Sequence, residues 1–174
     1  FVLTEPLRFG GSDEDLEIVA TASALAILKK DFHVTEAQLA EAASIGASAA
    51  LLIVRALEPS RLRDLSDAAR DLELEVIFEI RNELELERAL DSGAQMIGVN
   101  NRNLETLEVN PGTAERMIRL IPNECIAIAE SGYSTREEIE NVALAGADAV
   151  LVGSVLSASR DPERAVRSLA RVTR

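Results

Sequence analysis

Three ionisable residues, Lys30, Glu79 and Glu130, each close a short apolar run. The runs are Leu25-Ala26-Ile27-Leu28 ahead of the Lys29-Lys30 pair, Val76-Ile77-Phe78 and Ile126-Ala127-Ile128-Ala129. An ammonium gathered with carboxylates in a partly buried mouth is the arrangement acid–base chemistry uses. Burial and neighbouring charge move the proton affinities of such groups in opposite senses. Other apolar runs end in Glu5, in Asn100 with Arg102, and in Gly153 with Ser154, while Ser131 follows Glu130. Each of these, taken alone, reads equally well as a solvated strand end; together on one rim they would form a site.

The last two run ends have a different character. "AESGYS" and "LVGSVL" put Gly132, Gly153 and Ser154 just after a strand and just before a helix. Backbone N–H groups at such joints can hold a phosphate, and the pairing of two joints on successive strands is what favours that reading over glycine used for packing.

These residues need elements to position them. "EAQLAEAASIGASAALLIV", "ELELERALDSGAQMIGV" and "REEIENVALAGADAVLVG" repeat one pattern: an acidic amphipathic helix, Gly-Ala, then an apolar strand. Gly46, Gly93 and Gly146 fall where a helix end favours a left-handed residue, and the strands are apolar at successive positions, as in parallel sheets buried on both faces. The same reading gives strands near Val2–Thr4, Ala26–Lys29, Ala49–Val54, Glu75–Glu79, Met96–Val99, Ile126–Ala129 and Ala149–Val152. Helices run roughly over Asp13–Ser23, Glu36–Ser44, Pro59–Asp71, Glu83–Asp91, Thr113–Leu120 and Arg136–Leu144, with a last one after Asp161-Pro162.

Strict alternation predicts an α/β fold of the TIM (β/α)8-barrel type, with residues 1–174 as one barrel domain. No Gly-x-Gly-x-x-Gly follows a strand, which argues against a dinucleotide fold. Active-site residues of such barrels sit at the C-terminal strand ends. Strand parity puts Lys30 on the face of Leu28, Glu79 on that of Ile77, and Asn100 on that of Gly98. Lys29 then points the other way and is expected at the surface. A complete barrel has eight strands and about 250 residues, whereas seven strands are counted here. The expectation is a chain lacking an N-terminal piece, with open strand edges that invite self-association.

Thirty acidic against 18 basic side chains give a formal charge of −12, which repels polyphosphate backbones and argues against nucleic acid or an anionic membrane surface. The longest largely apolar stretch, Ala47–Val54, is far short of the roughly 20 residues of a membrane span, so a cytoplasmic protein is expected. The single cysteine, Cys125, reads as a small buried hydrophobe, and the single histidine, His33, has no partner set for a metal.

"VLTEPLRFGGS", "LKKDF", "LLIV", "GVNNRNLETLEV", "AESG" and "LVGS", in this order along the whole chain, resemble the indole-3-glycerol phosphate synthase family of tryptophan biosynthesis. The resemblance implies a lyase that needs neither cofactor nor metal. It would close the indole ring of 1-(2-carboxyphenylamino)-1-deoxyribulose 5-phosphate, losing carbon dioxide and water. By matching motif, Lys30 would be the general acid at the ketose oxygen and Glu79 its acid–base partner in dehydration. Asn100 and Arg102 would orient the substrate, Glu130 and Ser131 would complete the rim, and Gly132, Gly153 and Ser154 would hold the phosphate. Phe9, Phe32, Leu51, Leu104 and Leu107 would line the pocket for the aromatic ring, with plain core packing an equal reading of them. The family also carries a helical extension and a first strand with Glu-x-Lys and a Ser-Pro-Ser loop, which this sequence does not show. Part of the carboxylate and phosphate subsites is thereby expected to be missing.

Two alternatives stay open on sequence alone. One is another phosphate-binding barrel enzyme, a phosphosugar isomerase or a Schiff-base lyase using Lys30. The other is a non-catalytic barrel fragment that assembles with a partner.

Overall fold

Glycine ends the helices where the repeated pattern places it: Gly46, Gly93 and Gly146 have φ of 95°, 80° and 116°. These left-handed values cost a residue without Cβ little and turn the chain sharply from helix into strand. The computed structural model describes residues 1–170 and 172. Its strands are β1 (Val2–Leu3), β2 (Leu28–Lys30), β3 (Ala49–Ile53), β4 (Glu75–Ile80), β5 (Met96–Asn100), β6 (Ile126–Glu130) and β7 (Ala149–Leu151). Its helices are α1 (Asp13–Ala22), α2 (Glu36–Ser44), α3 (Pro59–Asp71), α4 (Glu83–Asp91), α5 (Gly112–Ile118), α6 (Arg136–Ala145), α7 (Ser154–Ser157) and α8 (Pro162–Leu169).

The chain falls into two compact units. Phe1–Glu79 with Glu87–Gln95 make one, Ile80–Leu86 with Met96–Arg174 the other. In the first, β1, β2, β3 and β4 pair in chain order, all parallel, with Leu3 opposite Lys30, Leu51 opposite Ile77 and Ile53 opposite Glu79. In the second, β5, β6 and β7 do the same, with Asn100 opposite Glu130 and Glu130 opposite Leu151. Parallel strands in sequential order, each followed by a helix, are the repeat of the TIM-barrel type, and seven such βα units are present among the described residues.

Burial on both strand faces explains the unbroken apolar runs. Ala50, Leu51, Leu52 and Ile53 of β3 are all buried, as are Ile77 and Phe78 of β4, while Leu16, Leu39, Leu62 and Leu65 are among the buried positions of the first unit's helices. Each such leucine contributes about 1.5–3 kcal/mol on removal from water.

Two strand-to-helix loops are closed by the same device. Thr35 and Thr135 cap α2 and α6 in full capping boxes with Gln38 and Glu138. Each box satisfies two orphan N–H groups at the helix start and so fixes the loop at the C-terminal end of the preceding strand.

Strand β2 begins two residues later than the sequence predicts and includes Lys30. Ile27 still accepts hydrogen bonds from the N–H groups of Ser48 and Ala49, and the N–H of Thr4 donates to Lys30 O at 3.3 Å. A 3-10 turn, Val54–Ala56, and the four-residue α7 were not foreseen. Among the described residues no helix is long and apolar enough to cross a membrane.

Candidate active site

Lys30 and Glu79 stand two strands apart, with β3 between them. Adjacent strands are about 4.8 Å apart, so backbones roughly 10 Å distant can be bridged only by two long side chains reaching toward each other. They do: Lys30 Nζ donates to Glu79 Oε2 at 3.1 Å. Glu79 is 3% exposed and the Lys30 side chain 16%. Leu51, buried, and Ile53, opposite Glu79, share the inner face beneath the pair. An ammonium held against a desolvated carboxylate can donate a proton to a developing alkoxide while the carboxylate receives one.

The remaining first-unit candidates lie in loops. Phe32, half-buried, follows Asp31, whose carboxylate accepts the Phe32 N–H at 2.7 Å and the Thr4 hydroxyl at 2.5 Å, tying the loop after β2 to that after β1. Phe9 is 41% exposed. Glu5, collected above as a polar strand end, holds its own loop: its carboxylate accepts the N–H groups of Leu7, Arg8 and Phe9 at 3.0, 2.7 and 3.2 Å.

Lys29 does face away from Lys30, but it is not a surface residue. It is 3% exposed, and its ammonium meets Asp13 Oδ1 at 2.5 Å at the start of α1. The aliphatic stem is covered by the helix layer, and a buried cation without a carboxylate would be very costly. Beside it His33 is buried, with Nδ1 donating to Leu51 O at 3.0 Å. Burial holds its pKa below the ordinary 6.5, so the ring is neutral at pH 7.

In the second unit Asn100 and Glu130 are register partners at the ends of β5 and β6, both buried. Asn100 Oδ1 accepts the Arg102 N–H at 2.9 Å, and its carbonyl accepts Arg81 Nε at 3.1 Å. Arg102 pairs with Val109 in an isolated antiparallel bridge and donates Nη1 to Leu107 O at 3.0 Å, closing the loop after β5. Within that loop Leu104 is half-buried and Leu107 exposed, with φ of 62°. Ser131 and Gly132 follow β6 with φ of 65° and 88°. For serine the left-handed region costs about 1–2 kcal/mol, so something must hold it there. A Cβ on Gly132 would stand 2.6 Å from Val109 Cγ1, so the turn packs where only glycine fits. After β7, half-buried Gly153 precedes α7, its carbonyl accepting Leu156 N at 2.9 Å and Ser157 N at 3.0 Å, and Ser154 is exposed.

The structure thus joins Lys30 with Glu79, and Asn100 with Arg102 and Glu130. Sequence reasoning passed over Asn101, which stands between two chosen residues and is fully buried. Parity turned it away from the inner face; an amide in a buried strand-to-loop step was the available signal.

The chain matches the family model described as indole-3-glycerol phosphate synthase over residues 1–169. It is 48% identical over 168 residues to an indole-3-glycerol phosphate synthase of Kineococcus radiotolerans, covering 97% of this chain and 61% of that protein. Indole-3-glycerol phosphate synthase 1 of Streptomyces coelicolor is 48% identical as well, with 97% and 62% covered. The chain therefore spans about three fifths of the length of the curated relatives it matches. Among solved structures, 3-hexulose-6-phosphate synthase from Salmonella typhimurium aligns with a TM-score of 0.80 at 14% identity, covering 96% of this chain and 82% of that one. A mutant tryptophan synthase alpha-subunit from Pyrococcus furiosus aligns at 0.70 and 20% identity, covering 94% and 73%. At these identities the structural likeness shows the fold alone.

Proposed function

The chain belongs to the indole-3-glycerol phosphate synthase family, and from that premise we propose that its residues serve the ring closure named for that family. The substrate would be 1-(2-carboxyphenylamino)-1-deoxyribulose 5-phosphate. The observation that carries the reading is the buried Lys30–Glu79 pair at 3.1 Å. As the aromatic carbon bearing the carboxylate attacks the ketose carbon, the Lys30 ammonium transfers a proton to the carbonyl oxygen, preventing a free alkoxide. Carbon dioxide then departs and its electron pair restores the aromatic ring. Loss of the new hydroxyl as water needs a proton delivered to it and another taken from the ring system. Glu79 and Lys30 exchange these across their hydrogen bond. Asn100, Arg102, Glu130 and Ser131 orient the substrate, and Gly132, Gly153 and Ser154 take the phosphate. Leu51, Phe32, Phe9, Leu104 and Leu107 supply the apolar contact for the aromatic ring. No cofactor enters this chemistry. The reading places the chain in the cytoplasm with a phosphorylated small molecule and no nucleic acid, and expects self-association at open strand edges.

The test is indole formation from that substrate, followed by fluorescence, with the chain beside its Lys30→Ala variant. Turnover lost on substitution by 100-fold or more supports the reading. Turnover that survives, or a borohydride-trapped adduct on Lys30, overturns the role assigned to it.

A further inference from the structure

Asn101 lies one residue beyond β5, and its carboxamide reaches two other parts of the second unit, the start of α5 and the turn after β6. Oδ1 accepts the Ala114 N–H of α5 at 2.8 Å; Nδ2 donates to Ser131 O at 3.0 Å and to Tyr133 Oη at 3.1 Å. Its backbone joins the same knot, its N–H donating to Glu130 O at 3.0 Å and its carbonyl accepting the Asn110 N–H at 2.9 Å. The Ala114 N–H can only donate, which fixes the orientation of the amide. No other side chain described above joins the loop after β5, the first turn of α5 and the turn after β6.

The two segments it ties are those carrying Asn100 with Arg102 and Glu130 with Ser131 and Gly132. The turn it holds contains two successive left-handed residues, one of them a serine that relaxes elsewhere unless constrained. The bond from Nδ2 to the Ser131 carbonyl is the constraint the structure offers. We propose that Asn101 is a positioning residue: it holds the Ser131–Gly132 turn and the Asn100–Arg102 segment in the geometry that substrate and phosphate require. The inference rests on the functional reading above, since that reading gives these segments their task.

Substitutions separate this role from general support of the fold. In Asn101→Asp one carboxylate oxygen still accepts from Ala114 and the other accepts from the Tyr133 hydroxyl, but an oxygen now faces the Ser131 carbonyl where a donor stood. Tyr133→Phe removes only the phenol contact. Displacing reacting or orienting groups by about 1 Å costs on the order of 100-fold in rate. Asn101→Asp is therefore expected to lower kcat 10- to 100-fold and to weaken binding of inorganic phosphate, measured by calorimetry, at least 10-fold. Tyr133→Phe should stay within about threefold of the unsubstituted chain in both.

A spectroscopic check needs no turnover. Tyr133 is the single tyrosine of a chain without tryptophan, so tyrosinate absorbance reports it alone. Burial pushes its pKa up to about 12, and a carboxylate at position 101, which replaces a hydrogen-bond donor with a negative charge, should push it higher. Equal kcat, KM and phosphate affinity in Asn101→Asp, or equal losses in both variants with KM unchanged, would overturn the positioning role. So would an unmoved Tyr133 titration. If the unsubstituted chain neither turns over the substrate nor binds phosphate, the functional reading itself falls, and this inference with it.

Discussion

Removing the cation from the Lys30–Glu79 pair gives a stability experiment that is independent of catalysis. In Lys30→Met the apolar stem is largely retained and the ammonium lost, leaving the Glu79 carboxylate without its 3.1 Å partner at 3% exposure. Breaking a buried pair from one side costs about 3–5 kcal/mol, because the surviving charge keeps its desolvation penalty and loses its compensation. Adding Glu79→Gln deletes that charge. The double variant is then expected to recover about 2 kcal/mol or more over Lys30→Met alone, a coupling within the range for groups in direct contact. For a chain of this size 1 kcal/mol corresponds to about 2–4 °C in Tm, so Lys30→Met should melt roughly 6–20 °C lower and the double variant should regain about 4–8 °C. Urea unfolding followed by circular dichroism, with equal slopes across the series, measures the same differences as shifts in midpoint. Additive effects within about 0.5 kcal/mol would refute the coupling, and with it the claim that Lys30 compensates a buried charge at Glu79.

Two further predictions concern groups outside the proposed chemistry. His33 is held below its ordinary 6.5 by burial, so on acidification the unfolded chain takes up the proton before the folded one. Stability from this group is full above about pH 7 and falls as the pH drops through 6.5 toward the folded-state value. His33→Gln, which can still donate to Leu51 O, should lack that part of the decline in Tm between pH 7 and 5; parallel curves for the two proteins would refute the assignment. Gly11 is a steric requirement: a Cβ there would stand 2.0 Å from Leu3 O and 2.5 Å from Leu3 C, both backbone atoms. Gly11→Ala must shift β1 or the loop after it and should cost about 1–3 kcal/mol in urea unfolding; a midpoint within error of the unsubstituted chain would show that the loop yields freely.

The βα repeat was legible because its signals are local. Gly-Ala at helix ends and unbroken apolar strands each act within a few residues, and the structure follows them with boundary shifts of about two residues at β2. Parity also suffices to put Lys30 and Glu79 on inward faces. What parity lacks is the layer outside the strand. It turned Lys29 outward correctly, but outward here means under α1, where Asp13 receives it, and no spacing rule links residues 13 and 29 before the helix is placed. Asn101 was missed for the same reason. Its partners Ala114, Ser131 and Tyr133 lie 13, 30 and 32 positions away, and only the fold brings them to one carboxamide.

The opposite pull of Lys29 and Lys30 also bears on how β2 finds its place during folding. The strand is only three residues long, and a short strand pairs with its neighbours through few backbone hydrogen bonds, so little in the backbone itself forbids a one-step slide. The side chains disfavour it. Sliding one way brings Asp31 to the inner position and sets two carboxylates, Asp31 and Glu79, facing each other. Sliding the other way puts Leu28 outward, where Asp13 would be left against a leucine. Each misalignment separates a carboxylate from its lysine, at greatest cost at buried Glu79, so the two ion pairs that leave this strand in opposite directions favour the observed register.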